Sequence, residues 1–111
     1  MEADIHLEYA PLVETLRSHG WEVTAYDEVV GRREDASGVW TIAIDHGGRV
    51  RFTATWPGKM PEGRRLQRGR RRYRLLREEH VTLTVATKLE TAADLPDVLD
   101  QLAAFATGRD P

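Results

Sequence analysis

Two alternating segments joined by a glycine-containing stretch constrain the fold of this chain most strongly. In Val39–Asp45 and Arg49–Trp56, apolar and polar residues alternate, which is typical of β-strands with one buried face. Directly opposed residues of an antiparallel pair share a face, so Ile44 should oppose Val50. This register requires an odd number of loop residues, and it predicts the three-residue turn His46-Gly47-Gly48.

Further patterned segments complete an α+β domain. Apolar residues at helical spacing predict a helix from about Ala10 to His19 and a second helix that begins at the N-cap Asp94. Alternation predicts strands in Trp21–Val30, Arg71–Arg77 and His80–Thr87, and Gly31–Gly38 is predicted to be a polar loop. We expect a single domain over residues 1–111, with an antiparallel sheet of four to five strands. An N-terminal and a C-terminal helix would pack on one face of this sheet.

Basic residues are concentrated in one part of the chain. The stretch Lys59–Arg77 holds nine of the sixteen basic residues and only one acidic residue, Glu62. The rest of the chain has a net charge near −10, although the whole chain has a formal charge of only −2. We expect an Arg-rich insert at residues 58–72 that continues into the following strand. Such charge separation indicates an anionic partner.

Binding of nucleic-acid phosphate is the function that this segment favours most. Arginine forms bidentate hydrogen bonds with phosphate, and a cluster of cations gains affinity from counterion release. Tyr73 would stack on a base. Arg49 and Arg51 would share a polar sheet face with Arg72 and Arg74. The predicted binding residues are Arg49, Arg51, Arg64, Arg65, Arg68, Arg70, Arg71, Arg72, Tyr73 and Arg74.

Other uses of the same arginines stay open. The segment would also be able to pair with the acidic remainder of its own chain, in ion pairs that contribute little each. It would equally suit an acidic protein surface, including that of a second copy, or it would simply form a solvated loop. The alternative function is therefore a protein-interaction factor, such as a chaperone-like, immunity-like or inhibitor protein, acting as a homodimer or heterocomplex.

The order of elements resembles that of type III secretion chaperone-like proteins. The resembling stretches are YAPLVETLRSHGWEV, VWTIAIDHGGRVRFTATWP and HVTLTVATKLETAADLPDVLDQLAAF. In that fold a helix, three strands, a middle element, two strands and a final helix build a small acidic dimerising protein. The chain departs from it where an Arg-rich segment occupies the place of the middle helix. The resemblance implies a non-enzymatic, protein-binding and dimeric role.

No residue pattern predicts catalysis, a metal site or a cofactor. The four histidines lack the spacing of a helical metal site, and the absence of cysteine excludes thiolate ligands and cysteine nucleophiles. Neither serine lies in a nucleophile-elbow context. We therefore expect a non-enzymatic protein without a cofactor. A small nuclease that uses His80 as an acid or base is the remaining enzymatic hypothesis.

The beginning of the chain and its apolar runs bear on location. The first ten residues, MEADIHLEYA, lack the basic and apolar regions of a signal peptide. No apolar run approaches the roughly 20 residues of a membrane helix. We expect a cytoplasmic protein without a membrane partner.

Overall fold

The structure is a computed structural model that describes residues 7–35, 38–56, 67–68, 71–79 and 82–107. Its helices and strands follow in the order α1 (Tyr9–Ser18), β1 (Glu22–Ala25), β2 (Val29–Asp35), β3 (Gly38–Ile44), β4 (Arg49–Thr55), β5 (Gln67–Arg68), β6 (Arg71–Arg72), β7 (Arg74–Glu79), β8 (Thr82–Lys88) and α2 (Leu95–Thr107). A short 3₁₀ turn, Ala92–Asp94, precedes α2.

Six of the strands form one antiparallel sheet in the order β1-β2-β3-β4-β8-β7. The short strands β5 and β6 pair separately with each other. The predicted α+β class is confirmed, and the sheet has one strand more than the upper predicted number. Four strands, not three, precede the Arg-rich segment.

The predicted strand Trp21–Val30 is divided into β1 and the start of β2, and β2 continues into the predicted polar loop. The strand β2 includes Gly31–Asp35 and pairs along its length with β3. Its charged residues alternate in sign on each face, and the guanidinium of Arg32 lies 2.7 Å from the carboxylate of Glu34. Gly31 is buried opposite Ile42, beneath α1. The prediction of a loop is therefore wrong, because the backbone of these polar residues pairs with β3 and the glycine fits where a side chain would be crowded.

Both helices cover the same face of the sheet. Leu12 and Leu16 of α1 are fully buried in one apolar cluster with the sheet and with α2. The cluster receives Ile42, Ile44, Val50, Phe52, Ala54, Leu83 and Val85 from the central strands, and Leu95, Val98, Leu102 and Phe105 from α2. Burial of these side chains supplies most of the free energy that favours the fold. The opposite face of the sheet, which we call the open face, carries the alternate residues of the same strands.

The turn between β3 and β4 has the predicted register. Ile44 opposes Val50, and the amide of Asp45 donates to the carbonyl of Arg49 across three loop residues. Gly48 has a φ of +82°, and a Cβ there would lie 2.3 Å from the carbonyl oxygen of Leu89. This position therefore requires glycine.

The same turn fastens two distant parts of the chain. The amide of Leu7 donates to the carbonyl of His46 at 2.8 Å, and the amide of Leu89 donates to the carbonyl of Gly48 at 2.7 Å. The imidazole Nδ1 of His46 also donates to the carbonyl of Leu7 at 2.8 Å. The entry to α1 and the exit from β8 are thus held at one end of the sheet.

The second helix begins after a capped 3₁₀ turn. The carboxylate of Asp94 accepts hydrogen bonds from the amides of Glu90 and Thr91, each at 3.2 Å. These bonds satisfy amides that would otherwise lack partners at the start of a helix.

Among the described helices, none is long and apolar enough to cross a membrane.

Candidate functional site

The open face brings arginines and small residues together in one row. Ala43, Arg51, Ala86 and Arg74 are successive partners across β3, β4, β8 and β7. In the neighbouring row, Arg49 of β4 is paired with Lys88 of β8. All of these cationic side chains are exposed. The sequence predicts this shared face for Arg49, Arg51 and Arg74, and the strand register places them there.

The row lies in a concave region that we call the open-face groove. Its volume is about 350 Å³, and its lining includes Glu28, Ala43, Asp45, Arg49, Arg51, Arg74, Leu76 and Ala86. The concavity follows from side-chain size, because the two alanines leave space between the longer side chains of their neighbours. Leu76 enters the lining because it is the extra residue in a bulge of β7 between Leu75 and Arg77.

The arginines of the groove are available to a ligand. Within the part of the chain that the structure describes, the guanidinium groups of Arg49, Arg51 and Arg74 form no ion pair. Exposed guanidinium groups keep their positive charge at any physiological pH. The groove thus presents cationic hydrogen-bond donors on a rigid sheet, where each Cα position is fixed by the ladder.

Two carboxylates, Glu28 and Asp45, line the groove along with the arginines. The Oδ1 atom of Asp45 accepts a hydrogen bond from the amide of Arg49 at 3.0 Å, which fixes the direction of this carboxylate. The phenol of Tyr9 lies close to the same acids. Desolvation, followed by the negative charges of Asp45, Glu28 and Asp27, raises the pKa of Tyr9 above its ordinary value.

Tyr9 itself supports this end of the sheet. Its ring stacks on the imidazole of His46 with 3.8 Å between the ring centroids. Its hydroxyl donates to the carbonyl oxygen of Asp27 at 2.5 Å. These contacts join α1 to the turn after β1 and to the turn after β3. The positions of Glu28 and Asp45 therefore depend on packing from the helix side of the molecule.

Arg71, another predicted binding residue, is engaged within the chain. Its guanidinium lies 3.1 Å from the carboxylate of Asp97 and 3.4 Å from that of Asp94, at the start of α2. Its side chain is only 21% exposed. Carboxylates near the start of a helix interact favourably with the helix dipole, and the ion pairs with them hold β6 against this end of α2. Arg71 therefore connects the Arg-rich segment to the acidic remainder of the chain.

Tyr73 does not present its ring at the surface. It is 3% exposed, and its ring makes an edge-to-face contact with Phe105 of α2 at a centroid distance of 4.9 Å. The predicted stacking of Tyr73 on a base is therefore wrong, because the side chain belongs to the core. It separates β6 from β7, so that Arg72 lies outside the groove, in a neighbouring concavity with Lys88.

Several predicted residues cannot be placed in this arrangement. Arg64, Arg65, Arg70 and His80 lie outside the described residues. Arg68 lies in β5, where it is paired with Arg71. The described residues contain no group of three or more acidic, histidine or cysteine side chains that could hold a metal ion.

The sequence did not predict the two carboxylates as part of the site. Glu28 lies just before β2 and Asp45 just after β3, and the pairing of Val29 with Ile44 brings the two positions together. The signal that could have indicated this proximity is the position of both residues in turns at the same end of consecutive antiparallel strands. The sequence does not indicate this proximity, because it predicts one strand over Trp21–Val30 and a loop over Gly31–Gly38.

In comparisons with protein-family models, with curated proteins and with solved structures, the chain has no match. The resemblance to type III secretion chaperone-like proteins therefore stays a prediction.

Proposed function

We propose that this protein is a non-enzymatic binding module that holds the phosphate backbone of a nucleic acid on its open sheet face. The observation that carries the proposal is the set Arg49, Arg51 and Arg74. These three side chains are exposed, line one groove and form no ion pair within the described residues.

The spacing of these arginines suits several groups of one polyanion. Arg51 and Arg74 lie on strands separated by β8, so their Cα atoms are about 10 Å apart. At that separation the two long side chains are able to reach neighbouring phosphates of one backbone. The chain enters β7 directly from the Arg-rich segment, so further cations precede Arg74 in sequence.

The groove favours contact with the backbone over reading of bases. Among the residues that the structure describes, its lining contains arginine, alanine, acidic and aliphatic residues but no aromatic ring. Contacts with phosphate position a nucleic acid without selecting its sequence. The acidic charge of the remaining chain confines attraction to this face, because phosphates are repelled elsewhere. We therefore expect weak, sequence-tolerant and strongly salt-dependent binding.

The test is the affinity for mixed-sequence oligonucleotides, measured by fluorescence anisotropy over a series of salt concentrations. Phosphate binding predicts a dissociation constant that rises steeply with salt. The double variant Arg51→Ala/Arg74→Ala should bind much more weakly than the wild type. Arg17→Ala is the matched control, since Arg17 is exposed on α1, the helix layer on the other face. Absence of binding to both DNA and RNA at low salt would refute the proposal.

A second candidate function is the binding of an acidic protein surface, including a second copy. The contact of Arg71 with Asp94 and Asp97 favours it, because an arginine of this segment already pairs with carboxylates at the start of α2. Exposed Leu75 and Leu76 on the edge strand β7 would add apolar contact area. This function predicts an assembly that persists in high salt, which light scattering coupled to size-exclusion chromatography would detect.

A further inference from the structure

We infer that the open-face groove prefers single-stranded RNA to DNA, with Glu28 and Asp45 accepting hydrogen bonds from ribose 2′-hydroxyl groups. This inference rests on the proposed function, in which Arg49, Arg51 and Arg74 hold phosphates. It adds a class of ligand and a role for the two carboxylates that line the same groove.

The carboxylates are unfavourable in a groove that contacts phosphates alone. Each would repel a polyanion and reduce the attraction of the neighbouring arginines. Their presence is accounted for if the ligand carries hydrogen-bond donors beside its phosphates. RNA has such a donor in every nucleotide, and the 2′-hydroxyl is the group by which proteins distinguish RNA from DNA. A carboxylate that accepts a ribose hydroxyl is also the established arrangement in dinucleotide-binding folds.

The geometry of Asp45 matches this task. Its Oδ1 atom is occupied by the amide of Arg49 at 3.0 Å, which directs the carboxylate and leaves its second oxygen for a ligand. The backbones of the two residues are also joined, because the amide of Asp45 donates to the carbonyl of Arg49. An acceptor for a hydroxyl and a donor for a phosphate are thus held side by side at the groove.

Glu28 provides a second acceptor on the other turn. It is exposed, and its carboxylate forms no hydrogen bond or ion pair with another residue that the structure describes. It lines the groove together with Ala43 of β3. Ala43 is paired with β2 on one side and with Arg51 of β4 on the other. The groove has a volume of about 350 Å³, which is at the low end for ligand pockets. It therefore accommodates part of a single nucleic-acid strand. A duplex would present two backbones to this narrow region.

The test compares RNA and DNA oligonucleotides that contain only adenine and cytosine, so that the two differ only in the sugar. We expect the wild-type protein to bind the RNA roughly tenfold more tightly, as one charge-assisted hydrogen bond would give. A fully 2′-O-methylated RNA, which keeps the substituent but lacks the donor, should bind no more tightly than the DNA. This comparison needs no variant, so it is independent of folding defects.

The variant Glu28→Ala/Asp45→Asn tests whether the two carboxylates produce the preference for RNA. Asparagine keeps an oxygen acceptor for the amide of Arg49, so the turn should be retained, which circular dichroism would check. The preference for RNA should disappear, while affinity for DNA should be equal or higher because two negative charges are removed. The control Glu14→Gln/Asp100→Asn removes the same charge from exposed positions on the helices and should keep the preference.

The outcomes separate the inference from the function on which it rests. Equal, salt-dependent affinity for RNA and DNA would overturn the inference and leave phosphate binding intact. Tight binding of the 2′-O-methylated RNA would also overturn it, since recognition would then follow backbone shape. Retention of the preference in Glu28→Ala/Asp45→Asn would remove the role of the carboxylates. Absence of binding to every oligonucleotide would refute the proposed function itself.

Discussion

Arg51 and Arg74 flank Ala86 in the register of the sheet, one from β4 and the other from β7. Their separation is set by two strand spacings of the backbone ladder, and only their side chains are free to move. A site built on strands loses less conformational entropy on binding than one built on loops. The small side chain of Ala86 keeps the space between them open. Because the two arginines lie on separate strands, single substitutions should measure the contribution of each to binding.

Arg51→Ala and Arg74→Ala should each remove about one phosphate contact. For single-stranded ligands, the slope of log affinity against log salt should then decrease in magnitude by about 0.7 for each variant. Because the two residues would contact different phosphates, the effects should add in the double variant. Salt titrations of the wild type, the variants and the control Arg17→Ala provide the measurement. Unchanged slopes in both single variants would exclude these residues from the interface.

Arg71→Ala should affect stability more than binding. The variant loses ion pairs with Asp94 and Asp97 that are only partly exposed to solvent. We expect a decrease in the free energy of unfolding of about 0.5–1 kcal/mol, which urea denaturation would measure. The salt slope for oligonucleotides should stay near that of the wild type. Arg72→Ala, which changes an exposed neighbour, should cost less stability; the reverse order would contradict the assigned role of Arg71.

Gly31→Ala should destabilise the fold although alanine is a conservative replacement. Its Cβ would lie 2.9 Å from Cγ2 of Ile42 and 3.2 Å from Cε3 of Trp21. Overpacking of this kind costs about 1–3 kcal/mol, which chemical denaturation would detect. In the control Gly47→Ala, the new Cβ would meet only the Oδ1 atom of Asp45, at the longer distance of 3.3 Å, so a smaller loss is expected. Equal stability of Gly31→Ala and the wild type would show that β2 moves to accept a methyl group.

Titration of Tyr9 should report the electrostatic field at the acidic end of the groove. Desolvation and the carboxylates of Asp45, Glu28 and Asp27 raise its pKa above the ordinary value, so the folded state favours the protonated phenol. The stability that this shift contributes is present below the ordinary pKa of about 10 and is lost as pH rises through the raised value. The absorbance of tyrosinate would follow the titration, with Tyr9→Phe to assign the transition.

Glu28→Gln should move the pKa of Tyr9 back toward its ordinary value, because one nearby negative charge is removed. Glu14→Gln, on the exposed side of α1, is the matched control for the change of charge. A pKa of Tyr9 that does not respond to Glu28→Gln would mean that the carboxylate is farther from the phenol than the structure places it.

The sequence predicts those parts of the fold that have strong alternation. The rule that opposed residues share a face is enough to predict the pairing of Ile44 with Val50. A register slip by one residue would expose the buried side chains. The same rule could not specify β2, because the part of this strand from Gly31 to Asp35 contains only glycine and charged residues and has no apolar alternation. Gly31 indicated a turn by its type, whereas its role depends on contacts with Leu16 and Ile42 that only the tertiary structure provides.

The candidate site was predictable only in part for a related reason. The alternation of Arg72, Tyr73 and Arg74 placed Tyr73 on the face opposite to its neighbours, and burial of that face is incompatible with stacking on a ligand. Charge density alone did not distinguish Arg71, which pairs with α2, from Arg74, which faces the groove. Glu28 and Asp45 are far apart in sequence, and their proximity follows from strand pairing.

The position of β8 between β4 and β7 has a consequence for how the chain folds. The ladder from Arg49 paired with Lys88 to Thr55 paired with Thr82 closes over the whole Arg-rich segment. Formation of this ladder closes a long loop, at a cost in chain entropy and in repulsion among like charges. Added salt would screen this repulsion. The Arg-rich segment, which we propose attracts an anionic partner, should therefore also slow folding, and refolding should accelerate at moderate ionic strength.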